Sequence, residues 1–200
     1  MIKALIFDGD GVVILRTNRF SDRLAADFGI MPEATAPFFR GIFRQCQIGK
    51  ADLMKEIQPY YREWGWKGEL DELIDYWFSK EGTRNEEILS MIRGLRKASI
   101  PVFLATDNEK YRTDYIVNEF GLGKEFDGIF SSAYVGFRKE EAGFWKHLTA
   151  AAAWKPDEML VWDDEIENIA CAKAAGFTAE QFTGMDDFRM KMRSYFPENM

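Results

Sequence analysis

The chain carries several short apolar runs, each bounded by turn-forming or charged residues. The first, residues 4–7, is continuous rather than alternating, which is typical of a strand buried on both faces of a parallel sheet. The pattern predicts strands at residues 4–7, 101–105, 128–131, 159–162 and 177–182, and helices at 86–98, 109–120, 140–153 and 165–175. This alternation predicts an α/β fold with a doubly wound parallel sheet and right-handed crossovers.

Residues 14–84 differ because only helical spacing is found there, with no strand-like alternation. Gly29, Gly49 and the segment 65–68 mark the predicted helix ends. We therefore predict a core of residues 1–13 and 85–200 with an inserted helical domain of residues 14–84; the tail from 186 is predicted as a short helix and a loose end. The apolar stripes are Leu24 and Phe28; Phe39, Ile42 and Phe43; Leu53, Ile57, Tyr60, Tyr61 and Trp64; and Leu70, Leu73, Ile74, Trp77 and Phe78.

The first strand ends in an acidic turn that contains two glycines, Asp8-Gly9-Asp10-Gly11. Two carboxylates two residues apart would point the same way on a continued strand and repel each other. The glycines free the backbone to curl, so both carboxylates can reach one point beyond the carboxyl end of the strand. Open α/β sheets bind their ligands at that edge. The turn is therefore either a ligand site or a plain acidic turn after a strand.

Three further polar clusters accompany apolar runs later in the chain. The tripeptide Thr-Asp-Asn follows one run at 106–108, Lys139 ends the peptide Gly-Phe-Arg-Lys, and an acidic pair follows another run at 163–164. This order and spacing resembles the haloacid dehalogenase-like (HAD) hydrolase superfamily. Its four motifs are an Asp-x-Asp after strand one, a Thr or Ser after a strand, a Lys, and an acidic pair after a later strand. The resemblance implies a Rossmann-type core with a helical cap over its catalytic face.

The acidic residues take metal-linked roles in this resemblance. A carboxylate that attacks phosphorus splits hydrolysis into two displacements, and oxygen ligands without a histidine cluster fit Mg²⁺. By resemblance, Asp8 is the nucleophile and a metal ligand, and Asp10 is the general acid and then base that lends its backbone carbonyl to the metal. Asp164 aligns with the metal-binding acid, while Asp163 is either a second ligand or a partner of the ligands. The acid at Asp10 separates this chain from the true dehalogenases, which lack it and use no Mg²⁺.

The remaining motifs suggest a phosphate site. Thr106 stands where a strand meets a helix, so its hydroxyl and the neighbouring backbone N–H groups, including that of Asp107, are expected to hold phosphate oxygens. Lys139 would neutralise the nucleophile and the transferring phosphoryl group. Asn168, one helical turn after Asp164, could orient the acidic pair. The alternatives are an ordinary helix cap at Thr106, a surface lysine, and an exposed helix residue at Asn168.

The chain departs from the family pattern at two points. Asp107 stands where relatives commonly have asparagine or a small residue, and an extra anion there weakens phosphate binding unless it is protonated, paired or turned away. Glu-Glu-Ala at 140–142 replaces the usual Pro-Asp-Pro, so the loop of Lys139 is expected to be set differently. Residues 106–116 and 136–139 resemble the subgroup of sugar-phosphate phosphatases and the phosphatase-like domain of epoxide hydrolases.

Composition narrows the range of partners. The net charge of −7 makes nucleic acid or an anionic membrane an improbable general partner, whereas a local metal and lysine still permit a small anionic substrate. Cys46 and Cys171 fit no ligand spacing, which predicts reduced packing residues and a cytoplasmic protein. No run has the signal-peptide pattern or the roughly 20 apolar residues of a membrane span. His147 is expected on a helix face, and the chain is expected to be a monomer or weak homodimer.

These observations predict a Mg²⁺-dependent phosphatase that hydrolyses a small phosphorylated metabolite, with a sugar phosphate as one candidate, through an aspartyl-phosphate. A phosphomutase would keep the same core but shield the phosphoenzyme from water. A third hypothesis is a HAD-like binding module without turnover, for which Asp107 is the best argument in the sequence.

Overall fold

The apolar run at the start of the chain forms the middle strand of the main sheet. In the computed structural model, which describes residues 1–196, Ala4–Asp8 is buried throughout and pairs with a strand on each side. The described strands are β1 (Ala4–Asp8), β2 (Ile14–Arg16), β3 (Gly82–Arg84), β4 (Val102–Thr106), β5 (Gly128–Ser131), β6 (Met159–Asp163) and β7 (Thr178–Gln181). The main sheet has the order β5-β4-β1-β6-β7, with every pair parallel. The predicted doubly wound α/β fold is confirmed.

Helices cover both faces of this sheet because alternate side chains of β1 point in opposite directions. The described α-helices are α1 (Phe20–Phe28), α2 (Pro32–Arg40), α3 (Phe43–Gln47), α4 (Leu53–Glu56), α5 (Gln58–Glu63), α6 (Leu70–Ser79), α7 (Glu86–Lys97), α8 (Lys110–Asn118), α9 (Ser132–Val135), α10 (Ala142–Ala151), α11 (Ile166–Ala174) and α12 (Met185–Tyr195). Leu5 and Phe7 enter a core shared with α7, α8 and α12, whereas Ala4 and Ile6 enter one shared with α10 and α11.

Helices α1 to α6 share a third apolar core, which is rich in aromatic rings. The predicted stripes lie on these helices, but two stripes are divided between neighbouring helices. Phe39 belongs to α2 and Phe43 begins α3, and the stripe from residue 53 is divided between α4 and α5. Pro59 is the second residue of α5, in the first helical turn, where its missing N–H is tolerated.

The prediction that residues 14–84 contain no strand is wrong. β2 and β3 pair in antiparallel fashion, with Ile14 opposite Arg84 and Arg16 opposite Gly82. Each has three residues, too few to display an alternation that sequence reading can detect. The pair stands at the two ends of the inserted segment. The domain limits of 14 and 84 stay a prediction.

Smaller differences concern element ends. The four residues of α9 were not predicted because they complete only about one helical turn, and α10 begins two residues later than expected. Cys46 and Cys171 are free thiols and His147 is exposed on its helix. The predicted loose end beyond residue 196 lies outside the described residues. The longest helix among residues 1–196 has 12 residues, and none there is long and apolar enough to cross a membrane.

Candidate active site

Lys139 lies between two carboxylates at the carboxyl edge of the sheet. Its Nζ donates to Asp8 Oδ1 at 2.5 Å and to Asp163 Oδ2 at 2.7 Å. Asp8 ends β1, Asp163 ends the adjacent β6, and Thr106 ends β4 on the other side. Because parallel strands end at a common edge, motifs that are far apart in the sequence meet at this point.

Burial makes this cluster electrostatically demanding. Asp8, Lys139 and Asp163 have exposed fractions of 4%, 2% and 1%. Burial works against the charge of Lys139, but the carboxylates of Asp8, Asp163 and Asp107 outweigh it and raise the pKa of the lysine. Burial also raises the pKa of Asp8 well above its usual range, an effect that Lys139 opposes and Asp163 reinforces. One ammonium group therefore leaves a surplus of negative charge at the site.

The residues present fit a hard divalent cation. Carboxylate oxygens of Asp8, Asp163 and Asp164 lie within 4.8 Å of one another. Oδ1 of Asp164 and Oδ1 of Asp10 are both buried without a hydrogen-bond partner, although Arg16 Nη1 lies 3.8 Å from the other oxygen of Asp164. Clustered oxygen donors of this kind suit Mg²⁺. The sequence does not predict that Arg16 lies beside Asp164, because the segment that contains Arg16 is interpreted as helical.

The two members of the acidic pair have different surroundings. Asp163 Oδ1 accepts the Glu165 N–H at 2.9 Å, and Asn168 Nδ2 lies 3.1 and 3.2 Å from the two oxygens of Asp163. With Lys139 on its other oxygen, Asp163 is held on both sides. Asn168 is buried rather than exposed, and it contacts one member of the predicted pair. In contrast, Oδ1 of Asp164 makes no hydrogen bond.

Gly11 allows Asp164 to approach the turn after β1. Its φ is +105°, and a Cβ there would lie 2.2 Å from Asp164 Oδ2. Any side chain would therefore displace this carboxylate as well as strain the backbone. Gly9 is similarly close to Thr106, whose Oγ1 lies 2.9 Å from the position of a Cβ.

We expect Gly11→Ala to remove most of the Mg²⁺-induced thermal stabilisation of the protein, because the added methyl displaces Asp164. Gly65→Ala is the matched control: Gly65 has a φ of +91° and no atom within 4 Å of a Cβ. Both variants carry a left-handed backbone cost of about 1–2 kcal/mol, so both melt at lower temperature without metal. Differential scanning fluorimetry with and without millimolar Mg²⁺ measures the effect. A full Mg²⁺ shift in Gly11→Ala would exclude Asp164 from a cation site.

Asn108 connects the acidic turn to the threonine motif. Its Nδ2 donates to Asp10 Oδ2 at 2.9 Å and to Thr106 Oγ1 at 2.7 Å. Asp10 is therefore oriented from the end of β4, while its Oδ1 makes no hydrogen bond. Asn108 belongs to the polar tripeptide at 106–108, but the sequence pattern predicts no role for it. Its position two residues after the end of β4 was the available signal.

Arg112 is a buried cation that the sequence did not single out. Its Nη1 donates to the carbonyl of Phe78 at 2.8 Å, its Nε lies 3.3 Å from Glu81 Oε2, and its Nη2 lies 3.8 Å from Asp10 Oδ1. It thereby joins the end of α6 to the acidic turn. A charged residue in an amphipathic helix is ordinarily solvent-exposed, so the sequence pattern gave no indication of this role.

The carboxylate of Asp107 is paired. Its Oδ1 and Oδ2 accept the Lys139 N–H at 3.0 and 3.3 Å, and Arg138 Nε lies 3.7 Å from Oδ2. Burial raises the pKa of Asp107, while the charge of Lys139 lowers it. The extra anion thus holds the backbone of the lysine loop in place. This meets one of the conditions under which a phosphate site can tolerate it.

The loop of Lys139 is held without the Pro-Asp-Pro that relatives carry. Glu141 Oε2 accepts the Arg138 N–H at 2.8 Å, and Trp145 Nε1 donates to the Lys139 carbonyl at 2.7 Å. These contacts anchor both flanks of the lysine to α10. Lys139 reaches Asp8 from this loop, and the expectation that the loop is set differently from that of relatives stays a prediction.

A cavity of about 480 Å³ opens above these groups. Asp8, Asp10, Thr106 and Lys139 all line it, so the predicted catalytic and phosphate-binding residues face one space. The volume lies within the range of about 300–1,000 Å³ that is typical of small-molecule sites.

The sequence of residues 2–176 matches that of the haloacid dehalogenase-like hydrolases. The match covers most of the chain and includes every motif described above. The chain therefore belongs to the haloacid dehalogenase-like hydrolase family.

Solved structures show the same fold. A predicted HAD-like hydrolase from Porphyromonas gingivalis has a TM-score of 0.81 at 22% identity, covering 98% of each chain. A HAD enzyme from Bacteroides thetaiotaomicron, crystallised with magnesium and inorganic phosphate, has a TM-score of 0.80 at 22% identity, covering 95% of this chain and 99% of its own. At this identity the likeness concerns the fold.

One curated relative is a sesquiterpene phosphatase from Aspergillus oryzae. It is 29% identical over 97 residues, which are 47% of this chain and 48% of the relative. The match thus spans about half the length of each protein.

Proposed function

We propose that the protein is a Mg²⁺-dependent phosphatase that hydrolyses a small phosphate monoester through an aspartyl-phosphate. The observation that carries this proposal is the buried Lys139 between Asp8 and Asp163, beside one oxygen each of Asp10 and Asp164 that makes no hydrogen bond. The phosphatase relative and the neighbour crystallised with magnesium and phosphate support the reaction class.

In this proposal Asp8 attacks phosphorus. Lys139 and the Gly9 N–H both donate to Asp8 Oδ1, which leaves Oδ2 to form the new bond. The Thr106 hydroxyl, the backbone N–H of Asp107 and the ammonium of Lys139 hold the phosphoryl oxygens. The ester P–O bond breaks as the Asp8–P bond forms.

Asp10 moves the proton in both steps. Asn108 holds Oδ2 of Asp10, and Oδ1, which makes no hydrogen bond and lies 3.8 Å from Arg112 Nη2, gives its proton to the departing alcohol oxygen. The same oxygen then takes a proton from the water that attacks the aspartyl-phosphate. Hydrolysis releases inorganic phosphate and restores Asp8.

Asp8, Asp164 and the backbone carbonyl of Asp10 would hold Mg²⁺, with Asp163 positioned between Lys139 and Asn168 as their partner. When bound, the cation neutralises the charge of the phosphoryl group and of the attacking carboxylate.

Residues 14–84 would serve as a cap, connected to the core through β2 and β3. The argument for a module without turnover loses support, because the carboxylate of Asp107 is paired with the Lys139 N–H.

The test is the response to Mg²⁺. Millimolar Mg²⁺ should raise the melting temperature, since a ligand at about 100 times its Kd adds roughly 2.7 kcal/mol of stability. Hydrolysis of para-nitrophenyl phosphate should require Mg²⁺ and stop in EDTA. Asp164→Asn should lose both responses, whereas the exposed control Asp75→Asn should keep them.

Activity in EDTA together with no thermal shift would refute the metal assignment. No turnover of any phosphate ester in Mg²⁺ would refute the phosphatase. A requirement for a bisphosphate primer, with an isomerised product, would instead indicate a phosphomutase.

A further inference from the structure

A second and larger cavity adjoins the catalytic one. It measures about 790 Å³ and lies between α1, α2, α3, α6 and the start of α8. We name it the aromatic chamber after four of its lining residues, Phe20, Phe39, Phe43 and Trp77.

The aromatic chamber opens beside the proposed proton donor. Gln47 lines both cavities, so the two spaces are neighbours. Asn108 also lines the chamber, and it is the residue that binds Asp10 Oδ2. A phosphate held against Asp8 would therefore have its alcohol part directed past Asp10 towards the chamber.

The apolar wall is held by ring packing within the inserted segment. Phe20 and Trp77 stack with their ring centroids 4.7 Å apart, and Phe39 and Phe43 contact the same indole at 5.3 and 5.5 Å. Four different helices contribute these rings. A wall packed in this way exists before any ligand binds, which lowers the cost of binding an apolar group.

Most inner polar groups of the chamber already have a partner. Arg112 also lines it, and its Nε and Nη2 make no hydrogen bond but lie 3.3 and 3.8 Å from the carboxylates of Glu81 and Asp10. Glu81 Oε1 accepts the indole N–H of Trp77 at 3.2 Å, and Gln47 Nε2 donates to the Asp107 carbonyl at 3.3 Å. Thr35 Oγ1 donates to the carbonyl of Pro32 at 3.1 Å. The charged residues Arg19, Asp22, Glu33 and Arg40 lie at the exposed rim. Few inner partners remain for a polyhydroxylated group.

Resting on the proposed function, we infer that the substrate is a phosphate monoester of a bulky apolar alcohol, with one or more rings or branches, whose hydrocarbon part fills the aromatic chamber. The volume and the aromatic wall match a drug-sized hydrophobic group. A sugar phosphate would instead place hydroxyl groups against the four aromatic rings, which offer them no hydrogen bonds, and this costs binding energy. Apolar character, rather than hydroxyl pattern, then decides which esters are hydrolysed.

The test fills the chamber from its own wall. Ala36 lines the chamber and is half-buried on α2, whereas Ala34 is exposed on the same helix and is absent from the lining. Ala36→Trp places a ring in the cavity, and Ala34→Trp is the matched control. The probes are 1-naphthyl phosphate, glucose 6-phosphate and the small acetyl phosphate, each assayed with Mg²⁺.

We expect the unsubstituted protein to hydrolyse 1-naphthyl phosphate with a kcat/KM at least ~10-fold above that for glucose 6-phosphate. Ala36→Trp should lower kcat/KM for 1-naphthyl phosphate by ~10- to 100-fold, in line with the 10- to 200-fold discrimination of apolar pockets. Acetyl phosphate turnover should stay within about twofold, and Ala34→Trp should change neither rate. Fluorescence titration with 1-naphthol should show binding that Ala36→Trp alone removes.

The inference would be overturned if the protein prefers glucose 6-phosphate, or if a folded Ala36→Trp hydrolyses 1-naphthyl phosphate normally. In either case, turnover of acetyl phosphate would still support the proposed phosphatase activity. If the protein hydrolyses none of the two esters and acetyl phosphate, the proposed function is refuted instead. The binding of 1-naphthol then still tests the chamber without any turnover. If Ala36→Trp fails to fold, absence of 1-naphthol binding to the unsubstituted protein overturns the inference.

Discussion

Asp8→Ala is expected to abolish formation of the phosphoenzyme and to lower turnover by a factor on the order of 10⁶, the scale seen when a nucleophile is removed from a catalytic unit. No other described carboxylate has the same position: Asp163 is held by Lys139 and Asn168, and Asp10 is bound by Asn108. Rapid quench followed by intact-mass measurement should find one added phosphoryl group on the unsubstituted protein and none on the variant.

Asp8→Asn controls for loss of the fold. Burial raises the pKa of Asp8, which means that its negative charge is unfavourable in the folded protein. An uncharged amide of the same shape removes that charge, and Lys139 keeps its bond to Asp163. We expect this variant to melt at no lower temperature than the unsubstituted protein, and to be inactive. If either variant still becomes phosphorylated, another residue is the nucleophile.

Asp10→Asn is expected to slow both proton transfers, each by a factor of ~10² to 10⁴. The two steps depend differently on the leaving group. Para-nitrophenolate departs with little protonation, so the first step should proceed while the aspartyl-phosphate is hydrolysed slowly. The variant should therefore show a burst of nitrophenolate and accumulate a phosphoryl group, which intact-mass measurement detects.

Phenyl phosphate is the matched control substrate for Asp10→Asn. Its leaving group needs a proton, so the first step should also be slow and no burst should be seen. Mg²⁺ should still stabilise the variant, because only the backbone carbonyl of Asp10 is expected to bind the cation. Turnover of para-nitrophenyl phosphate at the unsubstituted rate would show that Asp10 is not the acid and base.

The sequence predicts the sheet well, because its three middle strands β4, β1 and β6 are short apolar runs that lie in the core. β1 and β6 are buried at every position, and such runs stand out in any chain of this polarity. β2 and β3 were missed because three residues show no period. Three of the polar clusters were found because each lies at the end of an apolar run, where the sheet brings them together, whereas Lys139 was found only through the order of the motifs.

Contacts across long sequence distances explain the rest. Nothing near Asp107 indicates that its partner is the backbone of Lys139, which depends on how a distant loop folds. Arg112 is an ordinary helix residue until α6 and the acidic turn pack against it. The aromatic chamber was missed for a related reason, since its rings come from four helices whose mutual packing the periodicity does not encode.

The pairing of β2 with β3 bears on how this chain could have diversified. Arg16 and Gly82 lie opposite each other, so the inserted segment leaves the core and returns to it at almost the same point. Two antiparallel strands can be joined by a turn as short as two residues, so this junction sets no lower limit on what it carries. Exchange of the segment would leave the connectivity of β1, β4 and β6 intact. Under the proposed role of the aromatic chamber, such an exchange would change which substrate is selected and leave the catalytic residues of the core in place.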